Sequence, residues 1–149
     1  MTAALRLVPL TGAGDGLAPA LAEVAAQTVA ILTEHPRPAP WGCYLAYAGD
    51  VAVGTCAFKA APDADRTAEI AYMTFPPHEG QGHATAMIAA LVDIARAGGA
   101  AVVIAHTLPE WNASARALAR VGFDQADAFD DPDDGPVWYW ERMLDRVAA

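Results

Sequence analysis

Apolar positions at Ala84, Met87, Ile88, Leu91 and Ile94/Ala95 recur at i, i+3, i+4, i+7 spacing and predict an amphipathic helix ending at Gly98-Gly99, a C-cap signal. Before it, Thr67 to Phe75 reads as a strand. After it, Ala101 to Thr107 is a continuous apolar run, expected of a strand buried on both faces. Strand, helix and strand in this order make a right-handed βαβ unit, so these two strands are expected to be parallel neighbours. Upstream, Leu5 to Leu10 alternates as a first strand, and Asp15 or Gly16 can cap a helix carrying Leu17, Leu21, Val24, Thr28, Ile31 and Leu32 on one face. The Pro-rich segment His35 to Pro40 ends that helix. Trp41 beside it is either a wall of a substrate pocket or a plug over the core.

Cys43 to Ala48 and Val51 to Lys59 read as a hairpin across Gly49-Asp50, followed by a polar turn from Ala60 to Arg66. Asn112 or Ser114 caps a short helix to Val121, and Phe123 to Phe129 and Pro136 to Leu144 form a last hairpin. The expected fold is α+β or mixed α/β: a central, mixed, mostly antiparallel sheet of about seven strands, with a βαβ unit and flanking helices. No internal repeat or linker divides it, so residues 1–149 are expected to form a single domain.

Composition narrows the function. A hydrophobic content of 54% marks a globular chain, and no apolar run reaches the 18 or so residues of a membrane span. The N-terminus lacks a signal-peptide core, so a cytoplasmic location is expected. A formal charge of −9 argues against nucleic acid and fits a cationic or amine-bearing partner. Cys43 and Cys56 are too few for a zinc site, and no metal is expected. With a two-residue turn at Gly49-Asp50 they fall opposite each other, as a cross-strand bridge or as two small buried thiols.

The most informative stretch lies between the Thr67 strand and the Ala84 helix. Glu79-Gly80-Gln81-Gly82-His83-Ala84 places two glycines at a helix N-terminus, where backbone N–H groups lack internal partners and the peptide dipoles favour negative charge. Glycines let a phosphate approach the main chain and make positive φ cheap. A pyrophosphate cradle is the natural reading. A mononucleotide P-loop would need Lys and Ser/Thr after the last glycine, where His83 and Ala84 stand.

Glu79-Gly80-Gln81-Gly82-His83-Ala84 resembles the Gln/Arg-x-x-Gly-x-Gly/Ala signature of the GNAT family of acetyl-CoA-dependent N-acetyltransferases. Asn112-Ala113-Ser114 with Leu118 and Gly122-Phe123 resembles that family's Asn…Ser…Leu…Gly-Phe segment. The resemblance covers roughly Leu5 to Met143. It departs at Glu79, where the family has Gln or Arg, and at Asn112, one residue nearer Gly122-Phe123 than usual, which puts Trp111 at the expected Asn position. The resemblance implies acetyl-CoA as co-substrate and a splay between the fourth and fifth strands that admits its pantetheine arm. It also implies an amine acceptor from a small molecule or peptide, direct transfer in a ternary complex, and a dimer as a common assembly.

On that resemblance Met73, Thr74 and Phe75 would lie along the pantetheine, and Gly80, Gln81, Gly82, His83 and Ala84 would hold the pyrophosphate by main-chain N–H groups, with Glu79, Thr85, Asn112 and Ser114 as further cofactor-binding positions. Acetyl transfer needs a base for the ammonium and a donor for the departing thiolate. Glu69, the best-placed carboxylate of the fourth strand, is the candidate base, or a surface Glu at a strand edge. Ser114 is the candidate donor, or only a helix cap. Tyr72 and Tyr139 are reserve donors. His78 and His83 flank the glycine loop, and His106 ends the buried strand where it can face the pocket. Four aspartates between Asp130 and Asp134 attract a cationic acceptor or simply solvate a hairpin loop. A non-catalytic acyl-CoA-binding module of the same fold is the alternative.

Overall fold

The computed structural model describes residues 5–9, 40–59, 61–131 and 135–144. The helix expected around Leu17 to Leu32, most of the Pro-rich segment and the tip of the last loop at 132–134 lie outside them. The described strands are β1 (Arg6–Pro9), β2 (Cys43–Ala48), β3 (Val51–Phe58), β4 (Thr67–Thr74), β5 (Val102–Thr107), β6 (Asp124–Asp131) and β7 (Gly135–Met143). They form one seven-stranded sheet in the order β1-β2-β3-β4-β5-β7-β6. Only the β4–β5 pair is parallel. Helices α1 (His83–Ala97) and α2 (Ala113–Arg120) complete the described elements, with a 3-10 turn at Pro76–His78. The mixed, mostly antiparallel sheet with a βαβ unit is as the hydrophobic pattern implies.

Helix α1 presents Met87, Ile88, Leu91, Val92 and Ala95 to the sheet, all buried. They share one core with Val53, Phe58, Ile70, Val103, Leu118 and Trp140. Each such side chain contributes roughly 1.5–3 kcal/mol by leaving water. On β5, Val103, Ala105 and Thr107 are buried but Val102, Ile104 and His106 are only half-buried. The expected strand buried on both faces is therefore two-faced, and the half-buried face carries a histidine that matters below. Trp41 is buried and packs edge-on against Phe58, with ring centroids 4.9 Å apart. It is a plug in the core.

The hairpin β2–β3 turns at Gly49-Asp50 as expected, but its register slips. Tyr47 pairs with Ala52 while Ala46 pairs with Gly54, leaving Val53 as an extra residue. Beyond this bulge Cys56 pairs with Tyr44 and Cys43 with Ala57. A one-residue slip turns a side chain to the other face. Cys43 and Cys56 thus point to opposite faces; both are buried and no disulfide joins them. Burial pushes the Cys56 thiol well above its ordinary value, with Cys43 adding to the rise. The bulge also serves β4: the Val53 carbonyl accepts the Phe75 N–H at 2.8 Å. Gly54 lies so close to Met73 that a Cβ there would overlap the Met73 carbonyl oxygen. This contact holds the end of β4 against β3 where the site begins.

The start of β4 and β5 is tied by the turn before β4. Asp63 Oδ1 accepts the N–H groups of Asp65 (2.9 Å) and Thr67 (3.1 Å). Arg66, held at φ 58°, turns its carbonyl to the Ala101 N–H at 2.8 Å. The βαβ unit is thereby locked in register at Thr67 and Val102.

Candidate active site

The two parallel strands share only three rungs: Thr67 with Val102, Ala68 with Val103 and Glu69 with Ile104. Beyond Glu69, β4 keeps pairing with β3 as far as Thr74, while β5 follows β7 through Thr107. The strands diverge into a fork whose vertex is the Glu69–Ile104 rung. Along its β4 side, main-chain groups from Ile70 to Thr74 have no partner strand towards β5, a polar edge open to an extended ligand.

A cleft of about 520 Å³ occupies the mouth of this fork. Tyr72, Met73 and Thr74 form its β4 wall, Glu79, Gly80 and Gly82 its rim, His83, Ala84 and Thr85 its helical end, and α2 the remaining wall. The loop reaches the cleft because Phe75 is fully buried and two prolines then carry the chain through the 3-10 turn. Gly80 and Gly82 adopt φ of 78° and 85°, left-handed values that cost an L side chain about 1–2 kcal/mol. Gly82 is the N-cap of α1 and supplies no side-chain cap, so the first N–H groups of α1 keep their capacity for an anion. His83 Nδ1 is shielded from solvent and has no hydrogen-bond partner among the described residues. Glu79 is exposed on the rim.

Helix α2 brings in groups that sequence reasoning had left aside. Arg116 and Arg120, one turn apart, line the cleft and give its wall two cations. Ala113, Arg116, Ala117 and Arg120 recur at i, i+3, i+4, i+7, and that helical spacing is the signal that could have found them. The N-cap of α2 is Asn112, whose side chain accepts the Ala115 N–H at 2.9 Å. Ser114, one of the two candidate caps, is released from that duty. Its Oγ lies 2.7 Å from the Tyr72 hydroxyl inside the cleft. Burial pushes Tyr72 up to about 12, partly offset by the Ser114 hydrogen bond. The phenol therefore stays protonated at neutral pH.

Of the residues expected at the cofactor, Met73, Thr74, Glu79, Gly80, Gly82, His83, Ala84, Thr85 and Ser114 share this cleft. Phe75 is buried beneath it, Gln81 is exposed beside it, and Asn112 caps α2. Glu69 lies elsewhere. Ala68 and Ile70 on either side point into the core, so alternation sends Glu69 to the opposite face. There its Oε2 is 3.0 Å from His106 Nδ1 and 3.4 Å from Lys59 Nζ. Tyr139 stands beside His106, with ring centroids 5.5 Å apart, and is raised by burial first, then by the nearby Glu141 and Glu69 carboxylates. Among the described residues no cluster of side chains could hold a metal ion, and no helix is long and apolar enough to cross a membrane.

The sequence profile of the Acetyltransferase (GNAT) family matches residues 17–123, which include the strand, glycine loop, helix and α2 just described. The chain belongs to the GNAT acetyltransferase family. Solved GNAT-type structures share its fold. One is yncA of Salmonella typhimurium, solved with its cofactor acetyl-CoA, at 20% identity over 86% of this chain and 76% of that one, with a TM-score of 0.64. A chimera of the spermidine N-acetyltransferase SpeG from Vibrio cholerae and hSSAT matches at 14% identity, over 93% and 95% of the two chains, with a TM-score of 0.72. RimL, a ribosomal α-N-protein acetyltransferase, matches at 18% identity over 97% and 96%, with a TM-score of 0.71. A search of the curated proteins found no match. At these identities the structural likeness establishes the fold, and the family membership rests on the sequence profile.

Proposed function

We propose that this protein is an N-acetyltransferase that moves an acetyl group from acetyl-CoA to a primary amine of a small molecule or peptide, directly within a ternary complex. The observation that carries the reading is the joining of the β4–β5 fork to the uncapped N-terminus of α1 in one cleft. The residues present fit the co-substrate. Main-chain N–H groups at Gly82, His83 and Ala84 suit a pyrophosphate, and the unpartnered His83 Nδ1 and the Arg116 and Arg120 side chains add donors beside it. The open edge of β4 suits the amide-bearing pantetheine arm, as an added strand would. Bound there, acetyl-CoA supplies an activated thioester at the inner end of the fork.

The protein's part is then to handle protons. The Tyr72–Ser114 pair, with Tyr72 protonated far above neutral pH, is a donor to the departing sulfur. Glu69 stands at the vertex of the fork on the opposite face, the side left for the amine. The chain's charge of −9 favours cationic acceptors by long-range attraction. A module that only bound CoA would use the cradle but would have no need of the Glu69, His106 and Lys59 array.

Titration calorimetry tests the binding half. Acetyl-CoA should bind in the micromolar range, ATP far more weakly, and Gly82→Val should weaken acetyl-CoA at least tenfold. Unchanged affinity in that variant would sink the assignment of the cradle. A free-thiol assay with polyamine, aminoglycoside and peptide amines tests the transfer half.

A further inference from the structure

Just beyond its vertex the fork is spanned by side chains. The last main-chain rung is Glu69–Ile104. His106 lies two residues further along β5, on the same half-buried face as Ile104. Its Nδ1 meets Glu69 Oε2 at 3.0 Å, so the contact spans the two strands where their ladder has already stopped. Both side chains are about one-quarter exposed, sheltered yet within reach of solvent and substrate. Lys59 holds the same carboxylate oxygen from the β3 side at 3.4 Å. The charged and titratable groups around His106 include Glu69 on β4, Lys59 after β3 and Tyr139 on β7, with Glu141 two residues further along β7 beside Tyr139.

This geometry distributes two roles. A carboxylate whose Oε2 is shared by an ammonium and an imidazole has that oxygen engaged and its charge partly neutralised. The 3.0 Å approach of Nδ1 to the carboxylate favours the neutral tautomer with its proton on Nδ1 and its lone pair on Nε2. As a class, imidazole has a proton affinity far nearer neutral pH than a carboxylate, which is what a base acting there needs. We propose that His106 takes the proton from the acceptor's ammonium, and that Glu69 is the positioning residue that orients the imidazole and stabilises it once charged. The inference rests on the transferase reading and deepens it, since it specifies an acceptor that arrives as an ammonium.

The protons balance. The acceptor nitrogen gives one proton to His106 Nε2, which passes it to solvent. The freed lone pair forms the N–C bond to the acetyl carbon as the C–S bond breaks. The leaving sulfur takes up a proton from the Tyr72–Ser114 pair, and the second proton shed by the nitrogen as the amide forms restores that pair through solvent, so the net release is one proton per amide made.

The test measures acetyl-CoA affinity by calorimetry, thermal midpoint, and kcat against pH from 5.5 to 10 by thiol release. The acceptors are spermidine, kanamycin and a peptide with a free N-terminus. His106→Gln should keep acetyl-CoA affinity within about twofold and lose about 100-fold or more in kcat at pH 7. Its acidic limb should vanish, with rate returning as the amine deprotonates by itself at high pH. Glu69→Gln keeps a polar partner for Nδ1 but lacks charge, so it should keep acetyl-CoA affinity within about twofold, lower kcat about tenfold and retain the acidic limb. A limb abolished by Glu69→Gln and kept in His106→Gln would make Glu69 the base and overturn the proposal. So would a His106→Gln enzyme within threefold of the parent at pH 7. Wild-type protein that binds acetyl-CoA yet transfers to none of the three amines overturns the transferase reading and this inference with it. Intact transfer in the variants overturns this inference alone.

Discussion

Replacing Tyr72 with Phe removes one oxygen and probes the coupling of β4 to α2 across the cleft. The lost hydrogen bond to Ser114, 2.7 Å long and partly buried, contributes about 1 kcal/mol at neutral pH. A second effect appears at alkaline pH. Burial raises Tyr72 from 10 to about 12, so the folded state favours the neutral phenol. Stability from this preference is fully present below pH 10 and is lost as the pH rises through 12, because the unfolded chain is by then tyrosinate and the folded chain follows. The rise corresponds to at most about 3 kcal/mol, nearer 2 kcal/mol once the partial exposure of the ring is allowed for. Urea unfolding of wild type and Tyr72→Phe at pH 8 and pH 11.5 isolates the difference, since all other groups titrate alike in both. The wild type should lead by about 1 kcal/mol at pH 8 and fall below the variant at pH 11.5. Parallel curves at both values would refute the burial argument. On the transferase reading, the same variant should lower kcat tenfold or more with little change in acetyl-CoA affinity. Ser114→Ala combined with it should cost scarcely more than either alone, as expected of groups that act as a unit.

Two further substitutions test other parts of the framework. Thr107→Val keeps the shape at the end of β5 but strips the acceptor from Trp140 Nε1, which donates to Thr107 Oγ1 at 3.0 Å in the core. Urea denaturation should show a loss of about 1–3 kcal/mol, the cost of leaving that buried N–H unpaired. Arg116→Gln and Arg120→Gln should each weaken acetyl-CoA several-fold and flatten its salt dependence, while leaving the binding of acetyl-pantetheine, which lacks the nucleotide phosphates, unchanged.

The two departures from the family pattern acquire physical meanings in the fold. Asn112, displaced by one residue, caps α2 and so frees Ser114 to face Tyr72. Glu79 stands on an exposed rim, where water and salt screen its charge from the cradle. Trp111, at the position the family gives to Asn, is exposed beside Trp140. Asp130 and Asp131, expected in a loop, extend β6 and pair with Pro136 and Gly135.

Much of the architecture was legible in the chain because its signals are local. The 3.6-residue period of α1, its Gly98 end, the Gly49-Asp50 turn and the glycines before His83 each depend on residues a few positions apart. Together they carried the sheet, the βαβ unit and the anion-binding helix end. Only the tertiary structure decided how these pieces meet. The fork exists because β4 is held by β3 to its last residue while β5 is drawn away by β7, a competition between strand edges that no local pattern records. The bulge at Val53 reversed the faces of residues beyond it, and with them the relation of the two cysteines. Tyr72 and Ser114, 42 residues apart, meet because α2 packs over the open end of that fork. Glu69 meets His106 at its vertex because parallel neighbours present matching faces. Side-chain chemistry of this kind is set by which elements share an edge or a groove, and that is settled by packing the whole core.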